Sequence, residues 1–457
     1  MKLRSAQGRW LLLAAVLGSS LAFLDGSIVN IALPAIQRDL GGGVAGLQWT
    51  INAYTLTLAA LILVGGSLGD RWGRRRVFVS GVVWFAFASL LCALAPSIEF
   101  LIAARAFQGI GAALLTPGSL ALISASMDKE DRGAAIGAWS GLAGVSTAFG
   151  PLLGGWLVEV MSWRAVFYLN VPLAAAVVWI ALRHVPESKD EEVEGRIDVT
   201  GAALTVAGLA ALTYGLVGSQ IVPSLAGVAL LLTFVFQQRQ SPHALVPLKL
   251  FANRTFTAAN LSTFAVYGSL SGAMFLLVLQ LQYVAGYSPL ASGAATLPIT
   301  IMMLLFSARA GRLGQRIGPR LPMTFGPFVA ATGLLLLLPI GPDMSYLTAV
   351  FPGVMVFAVG LTLLVAPLTT AVLGAAPNSQ SGIASGINNA MARTASLLAV
   401  AALPPIAGIG GANFADPDVF SPGFRLGILM CVFLLAGGGV IAGVLIRNSE
   451  ASVEAVD

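Results

Sequence analysis

The sequence predicts an all-α polytopic membrane protein. Of its 457 residues, 57% are hydrophobic and only 10% are charged, and the mean hydropathy is +0.87. Soluble domains carry about 25% charged residues, so a water-soluble globule is excluded. Fourteen apolar runs of roughly the length that a helix needs to cross a bilayer follow one another along the chain. Runs such as 11–16 and 334–338 do not alternate as the strands of a barrel would.

Short polar breaks set the limits of each predicted span. In chain order the spans are 10–34, 47–69, 77–97, 99–125, 133–158, 165–183, 198–218, 223–238, 256–285, 290–308, 321–340, 345–373, 382–410 and 424–446. The first run is too long for a signal peptide and has no clear cleavage site, so we expect it to be retained as a span.

An internal repeat indicates two related halves. Gly66-Ser-Leu-Gly-Asp-Arg-Trp-Gly-Arg-Arg75 follows the second run, and Gly311-Arg-Leu-Gly-Gln-Arg-Ile-Gly-Pro-Arg320 follows the tenth. We therefore predict an N-terminal six-helix bundle over 1–183 and a C-terminal six-helix bundle over 255–446. Between them, 184–254 holds a charged linker and two inserted transmembrane helices, and 447–457 forms a cytoplasmic tail. Two six-span halves are typical of secondary transporters, whose substrate site lies between the halves.

The distribution of basic residues predicts the orientation. With the N-terminus inside, twenty of the 25 lysines and arginines lie on the cytoplasmic face. Both termini are then cytoplasmic, and the protein is expected in the cell inner (plasma) membrane. This bias accounts for the net charge of +5, so no nucleic-acid partner is expected. The acidic stretch 183–198 is expected to be a solvated linker; a regulatory or partner site is the alternative.

One carboxylate, Asp25, lies deep inside an apolar run. An ionisable group at bilayer depth costs about 2.5–3.5 kcal/mol on insertion scales, so such a residue usually has a function. Arg105 is the comparably placed cation in the N-terminal half, and pairing the two is the economical way to bury both. Burial favours the protonated acid and a nearby cation favours the ionised one, so the pair is a candidate for proton coupling. A static structural ion pair is the alternative.

The turn after the second span carries a closely specified pattern of glycines and charges. Glycines permit a tight turn, and an aspartate can pair with an arginine or cap a helix. The pattern resembles the signature loop of the major facilitator superfamily, which acts as a conformational latch between the halves. The resemblance implies a latch made by Gly66, Asp70, Arg71, Gly73, Arg74 and Arg75. The second copy departs from the pattern at Gln315 and Pro319, so we expect the first copy to dominate.

Four further motifs resemble the fourteen-span drug:proton antiporter family of that superfamily. Residues 24–34 resemble its first-span signature, and residues 163–172 resemble the start of its sixth span. Residues 101–111 resemble its fourth-span motif, whose arginine, here Arg105, is associated with proton coupling. Residues 150–155 match its fifth-span antiporter motif. The resemblance covers the whole chain in order and implies drug export coupled to protons.

The fifth-span motif also has a direct physical interpretation. Proline within a helix removes a hydrogen bond and makes a kink, and glycines let a neighbouring helix approach closely. The residues concerned are Gly150, Pro151, Gly154 and Gly155. A kinked and tightly packed helix could seal the bundle against leak; packing without a gating role is the alternative.

Aromatic and amide side chains near these motifs are candidates for the substrate cavity, because drug sites combine apolar walls with a few polar groups. Trp49 and Tyr283 could instead belong to interfacial aromatic belts, and Arg393 could instead pack beneath backbone carbonyls. The candidates are Asn30, Trp49, Asn52, Tyr54, Gln280, Tyr283, Asn388, Asn389 and Arg393.

The sequence therefore predicts a monomeric, proton-driven exporter of hydrophobic compounds that works by alternating access. Because Asp25 is alone at depth, we expect few protons per cycle and a neutral or monocationic substrate. The alternatives are a dedicated exporter of one metabolite, antibiotic or lipid, or a proton symporter. An enzyme, a metal site and a cofactor are not expected, because Cys92 and Cys431 lie in apolar runs while His184 and His243 lie in loops.

Overall fold

The computed structural model describes residues 1–189, 197–377, 380–411 and 414–446, and in those ranges the chain forms helices and no strand. It divides into two compact units, Met1–Val246 and Pro247–Asp457. The two inserted helices therefore belong to the first unit. The predicted tail 447–457 lies outside the described residues.

The first unit contains nine helices in its described part. Several begin at a residue whose side chain accepts a backbone N–H, such as Ser5, Ser97 and Asp198. The helices are α1 (Ala6–Leu40), α2 (Gly43–Trp72), α3 (Arg74–Ala93), α4 (Ile98–Ser126), α5 (Lys129–Val160), α6 (Trp163–Tyr168), α7 (Asn170–His184), α8 (Val199–Val217) and α9 (Ile221–Gln240).

The second unit contains seven α-helices in its described part. A 3-10 turn, Leu248–Ala252, precedes them, and π-helical turns at Gln280–Val284 and Tyr346–Val350 extend two of them. The helices are α10 (Arg254–Leu279), α11 (Pro289–Ala295), α12 (Leu297–Ile317), α13 (Arg320–Leu335), α14 (Phe351–Gly374), α15 (Ser381–Ile406) and α16 (Pro417–Leu445).

Each of the fourteen predicted spans coincides with one helix or with two consecutive helices. In the described part of the chain, eleven of these segments are long and apolar enough to cross a membrane. The others are α5, α13, which has only 16 residues, and α15, which carries Asn388, Asn389 and Arg393. The protein is thus a polytopic membrane protein, and the count of fourteen spans stays a prediction.

The internal repeat is visible in the helix packing. In the first unit α4 packs on α2 and α3, while α1 packs on α5 and α7, and α7 also packs on α3. In the second unit α14 packs on α12 and α13, while α10 packs on α15 and α16, and α16 also packs on α13. At the repeated turn both Gly73 and Gly318 have a positive φ, +106° and +81°, which side chains with a Cβ rarely adopt.

The inserted helices α8 and α9 pack on each other, and α8 also packs on α2. Trp49 of α2 meets Tyr214 of α8, with 6.5 Å between ring centroids. Asp198, which precedes α8, is buried and accepts hydrogen bonds from the Gly201 N–H and from the side-chain amides of Gln237 and Gln238. The acidic segment therefore ends in a buried cap and not in a solvated residue.

Candidate functional site

Asp25 and Arg105 form an ion pair in the core of the first unit. The Arg105 Nη1 donates to the Asp25 Oδ2 at 2.5 Å, and each residue is only 1% exposed. α1 supplies the carboxylate and α4 the guanidinium. The predicted pairing is present in the structure; its role in proton coupling stays a prediction.

The second carboxylate oxygen of Asp25 is held by two neutral amides. The Gln108 Nε2 donates to Oδ1 at 2.9 Å, and the Asn170 Nδ2 donates to it at 3.2 Å. Both amides also donate to the Ser89 Oγ, at 2.7 Å and 3.2 Å. Gln108, Asn170 and Ser89 are at most 2% exposed. Asp25 is therefore surrounded by donors from α4 and α7, as an ionised carboxylate in an apolar core requires.

Arg105 is held from several directions. Its Nε donates to the Thr50 carbonyl at 3.0 Å, and its Nη1 also donates to the Gln108 Oε1 at 2.6 Å. The guanidinium lies 4.3 Å from the centre of the Tyr54 ring and 5.7 Å from that of Phe167. These cation–π contacts place a wall of aromatic rings beside a charge that solvent does not reach. Tyr54, a predicted cavity residue, thus belongs to the surroundings of the ion pair.

The fifth-span glycines pack against α1 directly beyond Asp25. A Cβ added at Gly150 would collide with the Ser27 Oγ, and one added at Gly154 would collide with the Ile28 side chain. Gly155 is buried, and Pro151 lies inside α5. The predicted close approach is present in the structure; the gating role of this contact stays a prediction.

The predicted latch residues lie where α2 ends and α3 begins. The Asp70 carboxylate pairs with Arg74 across the turn, with 2.8 Å between Oδ1 and Nη2. The Arg71 Nε donates to the Ser67 Oγ at 3.3 Å. Gly66 lies close to α4, since a Cβ there would be 3.7 Å from the Pro117 side chain. Within the first unit, Asp70 therefore joins the ends of two consecutive helices.

Glu187, from the segment after α7, caps the first turn of α3. Its carboxylate accepts the backbone N–H groups of Arg75 and Arg76 at 3.0 and 3.2 Å. The neighbouring Ser188 carbonyl accepts the Arg74 N–H at 2.8 Å. An anion at a helix N-terminus is favoured by the helix dipole. Glu187 therefore serves as a helix cap, whereas residues 190–196 of the predicted solvated linker lie outside the described residues.

At the other end of the first unit, the sixth-span motif ties three helices together. Asp39 of α1 accepts from the Trp163 Nε1 at 2.9 Å and from the Arg164 Nη1 at 2.5 Å. The Arg164 Nη2 donates to the Ala95 carbonyl at 3.2 Å, just after α3. This motif therefore holds the C-terminal end of α1 against α6 and the end of α3.

In the second unit three predicted cavity residues, Asn388, Gln280 and Tyr283, have neutral partners. The Asn388 Nδ2 donates to the Thr263 Oγ1 at 2.7 Å and to the Asn260 Oδ1 at 3.3 Å. Gln280 is fully buried and donates to the Ile340 carbonyl at 2.7 Å. Tyr283 packs against the rings of Phe414 and Phe420. Asn389 and Arg393 are half-buried on α15.

Three candidates of the first unit differ in their surroundings. Asn52 is fully buried, and among the residues that the structure describes neither atom of its side-chain amide has a hydrogen-bond partner. Asn30 is half-buried and donates to the Gly26 carbonyl of its own helix. Trp49 meets the inserted helix α8. Asn52 is therefore the candidate whose polar groups are left for a water molecule or a ligand.

Sequence reasoning assigned no role to Gln108, Asn170 or Ser89. A signal existed for the first two, because they occupy positions of the fourth- and sixth-span motifs. Ser89 is only a polar residue within the third apolar run. Its place beside Asp25 depends on the packing of α3 against α4 and α7.

Comparisons with known proteins agree with this architecture. Residues 15–401 match the model of the Major Facilitator Superfamily. The chain is 37% identical over 402 residues to the multidrug resistance protein Stp of Mycobacterium tuberculosis, covering 86% of this chain and 74% of that one. It is 34% identical over 473 residues to the puromycin resistance protein pur8 of Streptomyces alboniger, covering 98% and 93%.

A solved structure supports the same fold. The crystal structure of an auto inhibited POT family peptide transporter superposes with a TM-score of 0.70 over 97% of this chain and 98% of that one. Its sequence identity of 17% makes this a likeness of fold alone. Because the family model covers most of the sequence, the chain belongs to the Major Facilitator Superfamily.

Proposed function

We propose that the protein exports small hydrophobic compounds in exchange for protons, by alternating access. The observation that carries this proposal is the buried Asp25–Arg105 pair, which places one titratable acid in the core of a polytopic membrane protein. A buried ion pair contributes little net stability, so its presence needs another reason. The names of the relatives, a multidrug resistance protein and a puromycin resistance protein, supply the class of substrate.

On this proposal the chain has fourteen spans, both termini in the cytoplasm and a place in the plasma membrane, and it acts as a monomer. The basic residues support the orientation, and the match of every predicted span to a helix supports the count. The substrate is neutral or carries one positive charge, because Asp25 is the single acid deep within a span.

Asn52 is proposed as a polar contact for the substrate. A buried amide without partners costs about 1–3 kcal/mol relative to a satisfied one. A substrate or a water molecule that offers both a donor and an acceptor would remove that cost. Asn30 and Tyr54, the other candidates of the first unit with partners of their own, are proposed to line the site without anchoring the substrate.

The test uses purified protein in liposomes that contain a pH-sensitive dye. Addition of puromycin to the wild-type protein is expected to drive a proton flux, which Asp25→Asn abolishes. The control is Asp343→Asn, since Asp343 lies between α13 and α14, outside the predicted spans. Unchanged puromycin-driven proton exchange in Asp25→Asn would remove Asp25 from the mechanism. Efficient export of a dication such as pentamidine with Asp25 as the sole essential acid would refute the proposed charge limit.

The second candidate function is export of one dedicated compound, which the name of the puromycin resistance relative favours. The same liposomes distinguish the two functions. A multidrug exporter is expected to exchange protons for puromycin, tetraphenylphosphonium and chloramphenicol alike, whereas a dedicated exporter responds to one of them or to none.

A further inference from the structure

The hydrogen bonds around Asp25 are arranged for one protonation state. Oδ2 accepts from Arg105, while Oδ1 accepts from Gln108 and Asn170. A protonated carboxyl group would have to donate to an acceptor instead. Among these four residues and Ser89, the acceptors are the amide oxygens of Gln108 and Asn170 and the Ser89 hydroxyl.

Two of those acceptors already receive hydrogen bonds. The Gln108 Oε1 accepts from Arg105 at 2.6 Å and faces the Cys92 Sγ at 3.7 Å. The Ser89 Oγ accepts from both amides, which uses both of its lone pairs. Within this group the Asn170 amide oxygen is the acceptor to which no neighbour donates. Turning the Asn170 amide by about 180° would place that oxygen where Nδ2 now lies.

That position faces both Asp25 and Ser89 at 3.2 Å. After the turn, the Asn170 oxygen can accept the new O–H of Asp25 and the O–H of Ser89 together. The Ser89 oxygen still accepts from Gln108, while the two Asn170 N–H groups leave Asp25 and Ser89 and move to the side where the amide oxygen lay. The proton that binds Oδ1 comes from water, and the pair then changes from neutral to a net charge of +1 on Arg105.

We propose that Asn170 is a positioning residue for proton binding, with Ser89 as its partner. Its amide donates to the ionised carboxylate and, after turning, accepts from the protonated one. This inference rests on the proposed proton exchange. Asn170 is the first residue of α7. The turn of its amide therefore links proton binding on α1 to the start of α7.

The groups that titrate near Asp25 are few. Arg105 faces Asp25 from α4, and Cys92 of α3 lies beside Gln108. Tyr54 of α2 covers the Arg105 guanidinium. α6 contributes Phe167, and α7 contributes Asn170. Residues 133–158, which form most of α5, include no ionisable side chain. A shift of the pH midpoint on changing Asn170 can therefore be assigned to Asp25.

The test measures the pH midpoint of puromycin-driven proton exchange in liposomes. Asn170→Leu removes a hydrogen bond that is stronger to the ionised carboxylate than to the protonated one. The midpoint is expected to rise by about one pH unit, a tenfold change in proton concentration. Asn170→Asp places two carboxylates side by side, so that they share a proton. This variant should raise the pH midpoint further. Thr362→Val, a buried change in the second unit, is the control and should leave the midpoint unchanged.

Infrared difference spectroscopy of the purified protein tests the same inference without transport. The carboxyl band that disappears in Asp25→Asn reports protonation of this residue, and Asn170→Leu should shift both its frequency and its titration midpoint. If both quantities equal those of the wild-type protein, the proposal is wrong. If the wild-type protein shows no puromycin-driven exchange but the band shifts, the proposed function fails and the role of Asn170 stands.

Discussion

The contact between α5 and α1 can be tested by adding one methyl group. In Gly150→Ala the new Cβ would collide with the Ser27 Oγ, while the next atoms are the Ser27 Cβ at 3.2 Å and the Ile28 Cγ1 at 3.6 Å. The serine hydroxyl is thus the main obstacle. It must rotate away, or the two helices must separate.

The expected change in the free energy of unfolding depends on two opposing effects. Overpacking a close contact costs about 1–3 kcal/mol, whereas replacing glycine by alanine within a helix gains about 1 kcal/mol. Gly141→Ala on the same helix is the matched control, because a Cβ there meets no atom within 4 Å. The control should gain stability, and Gly150→Ala should fall below it by about 1–3 kcal/mol. In the double variant with Ser27→Gly, the closest atom becomes the Ile28 Cγ1, an ordinary contact, so most of the loss should be recovered.

The assays are the free energy of unfolding in detergent and the proton leak of liposomes without substrate. If the contact seals the bundle, Gly150→Ala raises the leak and the double variant restores it. If the contact is packing alone, stability falls without a leak. Equal stability of Gly150→Ala and Gly141→Ala, or no recovery with Ser27→Gly, would refute the structural reasoning.

Three further predictions concern polar and charged side chains. Asp25→Asn and Arg105→Gln should each lower the free energy of unfolding by about 3–5 kcal/mol, because each leaves a buried partner without its charge; their double variant, measured in the same detergent, should lose clearly less than the sum. Glu187→Gln should cost about 0.5–2 kcal/mol and increase hydrogen exchange in the first turn of α3, and unchanged exchange there would contradict the cap. Asn52→Leu should raise stability by about 1–3 kcal/mol, since an unsatisfied amide is removed, and should raise the KM for puromycin; a fall in stability would show that the amide has a partner.

The helices could be predicted from sequence because hydrophobic length is a local property. Every apolar run became a helix or two consecutive helices, and the repeated turn at Gly73 and Gly318 marked the two related units. The ends of helices were less predictable, because a cap such as Glu187 comes from a segment that is distant in sequence. The acidic segment illustrates this: composition suggested solvation, whereas Asp198 and Glu187 are used to cap helices.

The charged residues of the candidate site were predictable, because burying an unpaired charge is costly. The N-terminal half has one acid and one base deep within its apolar spans, and these two residues, Asp25 and Arg105, do meet. The neutral partners were not predictable in this way. A serine or an asparagine in a span carries a smaller cost and can bond to its own helix, as Asn30 does. Only the packing of α3, α4 and α7 shows that Asn170 donates to the carboxylate and that Ser89 accepts from the Gln108 and Asn170 amides.

The two units share their packing but not their chemistry. Where α1 carries a charged residue, its counterpart α10 carries Asn260 and Thr263, which bond to Asn388 of α15. Neutral amides and hydroxyls are thus sufficient to join the helices of this fold. An ion pair in the same kind of core costs desolvation and could be replaced by apolar side chains without loss of stability. Stability therefore does not require the pair of Asp25 and Arg105 in one unit, and proton binding by the carboxylate is the task proposed for it.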